Sequence, residues 1–402
     1  MSSSAWSPLR QGSFALLWGA ALVSNIGSWM HDLAAGWLMT TLTTSHAMVA
    51  LVQTATTLPV FLLALPAGTL ADRVDKRRLQ IVVQAIMLVF AALLGTLVLA
   101  GGMTSPLLLA FTLAMGACTA ILSPSWQSIM PQLVPRSDLQ GAIALHVVGM
   151  NIARSIGPAL GGALIVALGI AWPFFVNALS FVAVILALLA WKPAPQTPRK
   201  DDGVGYGAAL LQGLDQARSN HALQRTLLRS VLFYFFASAY WALLPVVARE
   251  QLGGGAQLFG ILVGCIGIGA VTGIFFLPRL RARGGLNGVV TIGTVGTALA
   301  IAGYALLRIP ALGMVASVIA GMAWLANFSS LNVAAQFAVS DAMRGRGMAL
   351  FSAVFYGCLA FGSLFWGVVA DHAGLAPALM LASGGALVGL VIARRLPLVD
   401  KA

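Results

Sequence analysis

The sequence predicts an all-α membrane protein of twelve spanning helices arranged as two six-helix halves. Three observations carry that prediction. The 402-residue chain is 59% hydrophobic and 8% charged, where soluble domains run at roughly 45–50% and 25%. Its apolar runs extend for about twenty residues, the length of a helix that crosses a bilayer, and lack the alternation of barrel strands. Its charges collect between those runs. A chain so poor in polar groups cannot cover itself in water, and in lipid its backbone must close its own hydrogen bonds.

The spans are placed at roughly 14–40, 46–71, 79–100, 104–131, 138–168, 170–191, 223–248, 256–278, 287–307, 310–338, 346–370 and 375–393. The first run exceeds the apolar core of a cleavable leader and further spans follow, so it is expected to remain as span one. Cys118, Cys265 and Cys358 lie in separate runs and read as small packing residues, with no disulfide expected.

The connections alternate between short turns and charged loops. Twenty of the 23 Lys and Arg lie on one side together with both termini; Arg249 and Arg308 lie on the other, and Arg154 is inside a span. Basic loops stay cytoplasmic, so both termini are expected there, in a multi-pass protein of the cell (inner) membrane. The net charge of +12 is then topological. It faces anionic lipid head groups and does not imply nucleic acid.

Residues 192–222 form the one long linker, Pro-rich and charged at first, between a bundle at 1–191 and a bundle at 223–402. A shift of 205 residues places five of the first fifteen glycines on another glycine: Gly68 on Gly273, Gly116 on Gly321, Gly157 on Gly362, Gly162 on Gly367 and Gly169 on Gly374. About two coincidences are expected by chance, so two parallel repeats are expected.

The stretch GTLADRVDKRRL, residues 68–79, gathers six charges between spans two and three. Gly68 permits close helix approach, Asp72 can face the positive end of a neighbouring helix, and Lys76, Arg77 and Arg78 pin the loop to the cytoplasm. With this stretch the chain resembles the major facilitator superfamily, whose loop signature runs glycine, Leu-Ala-Asp-Arg, then a basic cluster. Asp75 departs from it, standing where a second glycine is common. SNIGSWMHDLAAGWLMTTL, VQTATTLPVFLLALPAG, PQLVPRSDLQGAIAL and RSIGPALGGALIVALG resemble the efflux branch related to enterobactin exporters and transmembrane secretion effectors. The resemblance implies a secondary active transporter working by alternating access, with Asp72 and Arg73 bridging the halves in the outward-facing state.

Charges at mid-bilayer cost about 2.5–3.5 kcal/mol on insertion scales, so those that persist are functional candidates. Asp32 in span one and Arg154 in span five reach similar depth, roughly 24–27 Å from their cytoplasmic ends at 1.5 Å per residue. An ion pair between them is expected, structural or else engaged in proton coupling or cargo binding. His31 points about 100° away from Asp32. Polar and aromatic residues gather on spans one, four, seven and ten: Asn25 and Trp29; Ser125, Trp126 and Gln127; Tyr234, Tyr240 and Trp241; Asn327, Ser330, Asn332 and Gln336. The resemblance implies that these spans line the central cavity, and the mixture suits an amphipathic organic cargo. Gly157 and Gly161 stand at GxxxG spacing and are expected to pack helices closely.

No lysine follows a glycine, so a phosphate loop is absent and ATP is not the energy source. No enzymatic constellation, resident cofactor or metal site is expected. The reading is a monomeric exporter of small organic, drug- or siderophore-like molecules by proton antiport; the alternative is an importer or uniporter of a small metabolite on the same fold. Topology is checked by single cysteines: those at Ser45 and Ser105 should label from outside the cell and one at Gln196 only from inside, and external labelling at Gln196 would reverse the orientation.

Overall fold

The computed structural model describes residues 6–192, 218, 220–340 and 344–399, with the side chains of 64–73 outside that description. The described residues are helical, without strands, and eleven helices among them are long and apolar enough to cross a membrane. They are α1 (Gly12–Leu42), α2 (His46–Arg73), α3 (Lys76–Leu99), α4 (Ser105–Ile129), α5 (Leu139–Leu168), α6 (Trp172–Ala190), α7 (His221–Val246), α8 (Ala256–Leu306), α9 (Pro310–Phe337), α10 (Arg344–Ala373) and α11 (Leu375–Ala393). Proline in the first turn opens α4, α6 and α9, where its missing N–H has no intrahelical partner to lose. Rows of Leu, Ile, Val and Phe remain exposed on the outer faces, as lipid contact requires.

The sequence places a loop between spans eight and nine. The structure instead continues helically through it, with a single break at Gly285, whose φ of 58° and ψ of −167° suit glycine alone. The resulting 51-residue α8 is too long for one crossing. Its two arms run along α9 in opposite directions. Before the break, β-carbon positions at Gly313 and Gly273 lie 3.6 Å from Leu262 and 3.4 Å from Met322 Cα, a parallel progression. After it, those at Gly296 and Gly303 lie 3.2 Å from Ala323 and 3.3 Å from Ala316, an antiparallel one.

Small residues set how closely helices approach. A β-carbon at Gly157 would lie 2.9 Å from Ile26 O, fixing α5 on α1 as the GxxxG spacing predicts. One at Gly362 would lie 3.0 Å from Phe235 O, α10 on α7. Gly116 meets Ala55 O at 2.9 Å, α4 on α2, and Gly321 sits directly against Ile266 O, α9 on the first arm of α8.

The first six helices meet the rest along two antiparallel seams. In one, Gly162 meets Ala256 O at 2.8 Å, Gly260 faces Pro158 O and Gly264 meets Ser155 O at 3.2 Å. In the other, Gly367 meets Ala47 Cα at 2.9 Å, Thr54 donates to Ala360 O at 2.8 Å and Gly357 rests on the ring of Phe61. Arg229, counted by sequence with the loop cations, is buried at the base of α7, where it donates to Asn287 Oδ1 and Leu396 O.

The close approach predicts a contrast between two glycines. Gly321→Ala should destabilise the purified protein by about 1–3 kcal/mol, since backbone must move. Gly384, with open space around it, should accept alanine with a small gain or none. Thermal unfolding of the two variants in detergent reads the difference.

Candidate functional site

Asn25, Ser28, Trp29, Asp32 and Gly36 share one face of α1 by helical spacing. Gly36 packs against Pro245 and Phe259 of the C-terminal helices, so this face looks toward the seam between the halves. Asp32 is exposed on it. On α5, Arg154 lies between the stripe packed on α1 (Gly157, Gly161) and the stripe packed on α8 (Ser155, Pro158, Gly162), which aims it inward.

The expected Asp32–Arg154 ion pair is not formed, and no described carboxylate lies within 4.0 Å of Arg154. The guanidinium instead lies 5.8 Å from the ring of Trp29 and 5.0 Å from that of Trp241. Delocalised and weakly hydrated, a guanidinium suits such faces, each contributing about 0.5–2 kcal/mol. Its Nε is buried and has no hydrogen-bond partner. His31 points elsewhere, as its 100° offset predicts, and sits buried with its ring edge-on to Phe174 at 4.8 Å.

The residues expected to line one cavity divide among several settings. Asn25, Trp126 and Gln127 line a cavity of about 230 Å³ inside the first six helices, together with Gln80, Gln84 and His146. Trp29 and Trp241 hold Arg154. Tyr234 and Tyr240 are wholly buried in an aromatic cluster, with Tyr234 edge-on to Phe355 at 4.8 Å and Trp241 edge-on to Trp324 at 5.4 Å. Asn327 is equally buried, donating to Ala323 O and accepting from Thr294. Gln336 donates to Asn332 one turn earlier at 2.7 Å, so these two partly satisfy each other.

In the charged loop, Asp75 has a specific task. It is the N-cap of α3 and accepts from the Arg78 N–H at 2.8 Å, which a glycine cannot do through a side chain. Arg77 reaches across to the end of α6, donating to Leu188 O at 2.7 Å and Leu189 O at 2.8 Å, where helix carbonyls lack intrahelical partners. Ser125, on α4, donates to Lys76 O at 3.4 Å. The surroundings of Gly68 and the side chains of Asp72 and Arg73 lie outside the described structure.

A second constellation, which the sequence reading did not single out, closes the end opposite the basic loops. Asp371, in the last turn of α10, accepts from Ser45 Oγ at 2.7 Å and from the backbone N–H groups of His46 and Ala47. A carboxylate of one half thereby caps a helix of the other. His46 Nε2 lies 3.2 Å from Glu250, its Nδ1 lies 3.5 Å from Asp371, and Arg249 donates to Thr40 O. The available signal was scarcity: Glu250 and Asp371 are the carboxylates at that end of a chain with 11 acidic residues.

Comparison with known proteins agrees with this architecture. Residues 3–402 match the family described as transmembrane secretion effector. The chain is 26% identical over 257 residues to the staphyloferrin A transporter of Staphylococcus aureus (strain NCTC 8325 / PS 47), covering 63% of this chain and 64% of that protein. It is 27% identical over 420 residues to the multidrug efflux pump Tap of Mycobacterium bovis (strain BCG / Pasteur 1173P2), covering 96% and 94%. The crystal structure of the nucleoside transporter NupG superposes with a TM-score of 0.77 over 96% of this chain and 99% of that one, at 16% identity, a likeness of fold. The chain belongs to the transmembrane secretion effector family of the major facilitator superfamily.

Proposed function

We propose that this chain is a secondary active exporter of small organic molecules, working by alternating access and driven by protons. The observation that carries the proposal is the union of an inter-half cap at one end with unpaired charges between the halves. Asp371 ties the far end shut through the N-terminus of α2, while Asp32 and Arg154 face the seam without neutralising each other. A carboxylate left free in this way is available to take a proton from one side and release it to the other. Export of a small organic cargo is supported by relatives named as a staphyloferrin A transporter and a multidrug efflux pump.

The membrane arrangement belongs to the same proposal. Counting the two arms of α8 separately gives twelve crossings. Three of the glycine pairs related by the 205-residue shift support a repeat: Gly116 and Gly321 touch spans two and eight, Gly157 and Gly362 touch spans one and seven, and Gly162 and Gly367 touch spans eight and two. The halves are residues 1–191 and 223–402, joined by 192–222, with both termini cytoplasmic and the cell (inner) membrane as the location. The closed end is then external and the structure is inward-facing. Asp72 and Arg73 take the corresponding role at the cytoplasmic end, and the protein works as a monomer.

Two measurements test this. Removing the carboxylate at Asp371 takes away the acceptor for three donors at the start of α2, and loss of such a cap typically costs about 1 kcal/mol. Labelling of a single cysteine at Ser28 by an impermeant external reagent should therefore quicken at least about fivefold in Asp371→Ala; an unchanged rate would remove the cap from the mechanism. Asp32→Asn should abolish uphill transport driven by a pH gradient in vesicles yet keep downhill exchange of the same cargo. Intact uphill transport in that variant would place coupling elsewhere.

A further inference from the structure

Arg154 is placed mid-span between two aromatic faces, Trp29 at 5.8 Å from the first half and Trp241 at 5.0 Å from the second. With rings over the guanidinium, its hydrogen-bonding capacity lies in its edge, where five N–H donors are held in a planar fork. Among the described residues no acceptor meets its Nε, and none is within hydrogen-bond distance of its other nitrogens. Of its neighbours, Tyr240 Oη and Trp241 Nε1 are buried and neither hydrogen-bonds to the guanidinium. Asp32, the carboxylate on the adjoining face of α1, makes no ion pair with Arg154. The side chain is half-buried, so part of it remains accessible.

A cationic fork enclosed by ring faces and short of acceptors is complementary to one chemistry. It fits an oxyanion joined to a flat apolar body, the oxyanion taking the fork and the body lying along the indoles. From this geometry we infer that Arg154, Trp29 and Trp241 form the anchor for the acidic group of the cargo, an aromatic or similarly flat organic acid. The inference rests on the exporter reading above and narrows its cargo to organic anions. Because Trp29 and Arg154 belong to one half and Trp241 to the other, a ligand held here touches both, and its binding is sensitive to their relative position.

The full-length protein, purified in detergent, is titrated calorimetrically with 1-naphthoate, the neutral 1-naphthamide and the cationic 1-naphthylmethylamine, probes alike in their ring system. The expected order is naphthoate tightest, by at least about tenfold over the amide, the effect of a hydrogen bond to a charged group. Arg154→Gln should erase the preference, Arg154→Lys should keep part of it, and Trp241→Leu should weaken all three probes while Trp241→Phe spares them. Equal affinity for naphthoate and naphthamide in the unaltered protein would overturn the inference even if Arg154→Gln fails to fold. So would naphthoate affinity within about twofold of normal in a folded Arg154→Gln. Export of neutral and cationic dyes from cells reads the parent proposal separately. Export without any naphthoate preference overturns the anion anchor and leaves the exporter, whereas the preference without export of any probe overturns the exporter and leaves the anchor.

Discussion

At one end the two halves are joined by a carboxylate that caps a helix not its own. The first N–H groups of α2 have no intrahelical acceptor, and they emerge where the halves converge. Asp371 supplies the acceptor from α10. The positive end of the α2 dipole adds to the attraction. Completing a helix of the first half is therefore the same event as joining the halves at that end, and both seams run inward from this region. Gly367, one turn before Asp371, lets α10 approach α2 closely enough for the carboxylate to reach.

Scarcity gives the charges of this chain unusual definition. Asp75 caps α3, Arg77 completes α6 from the neighbouring loop, and Arg229 joins the base of α7 to the second arm of α8 and the chain end. Each meets a backbone or amide group, and each lies at an end of the bundle. Arg154 is the contrast. It lies mid-span, and its neighbours are rings.

Much of the fold was legible because lipid imposes a length on apolar runs and a location on charge. The positions of the eleven long apolar helices among the described residues, the GxxxG packing of α5 on α1 and the turn of His31 away from Asp32 followed from spacing alone. Partner identity did not. Depth along two helices gave Asp32 and Arg154 equal height, but height does not fix azimuth, and α5 turns Arg154 toward the indoles. Tyr240 and Trp241 illustrate the same limit: they are neighbours about 100° apart, so one is buried in the aromatic core and the other reaches the seam. Asn327 looked like a cavity residue because polar groups are rare in spans, yet its amide is met locally by Ala323 O and Thr294. The break at Gly285 falls between the two spans read from sequence, but the three arginines before it suggested a solvated loop where the helix in fact continues to the glycine.

The seam between α5 and α8 is built from Gly162, Gly260, Gly264 and Gly267 against backbone atoms of the opposing helix. Most helix interfaces interlock through side-chain ridges and grooves, and sliding them means lifting one set of side chains over another. Where glycines face backbone there are no ridges to lift. In the alternating-access cycle proposed above, such a seam would act as a bearing, holding the two bodies at a fixed separation while they roll and leaving the resistance to reorientation in the few polar bonds at the helix ends.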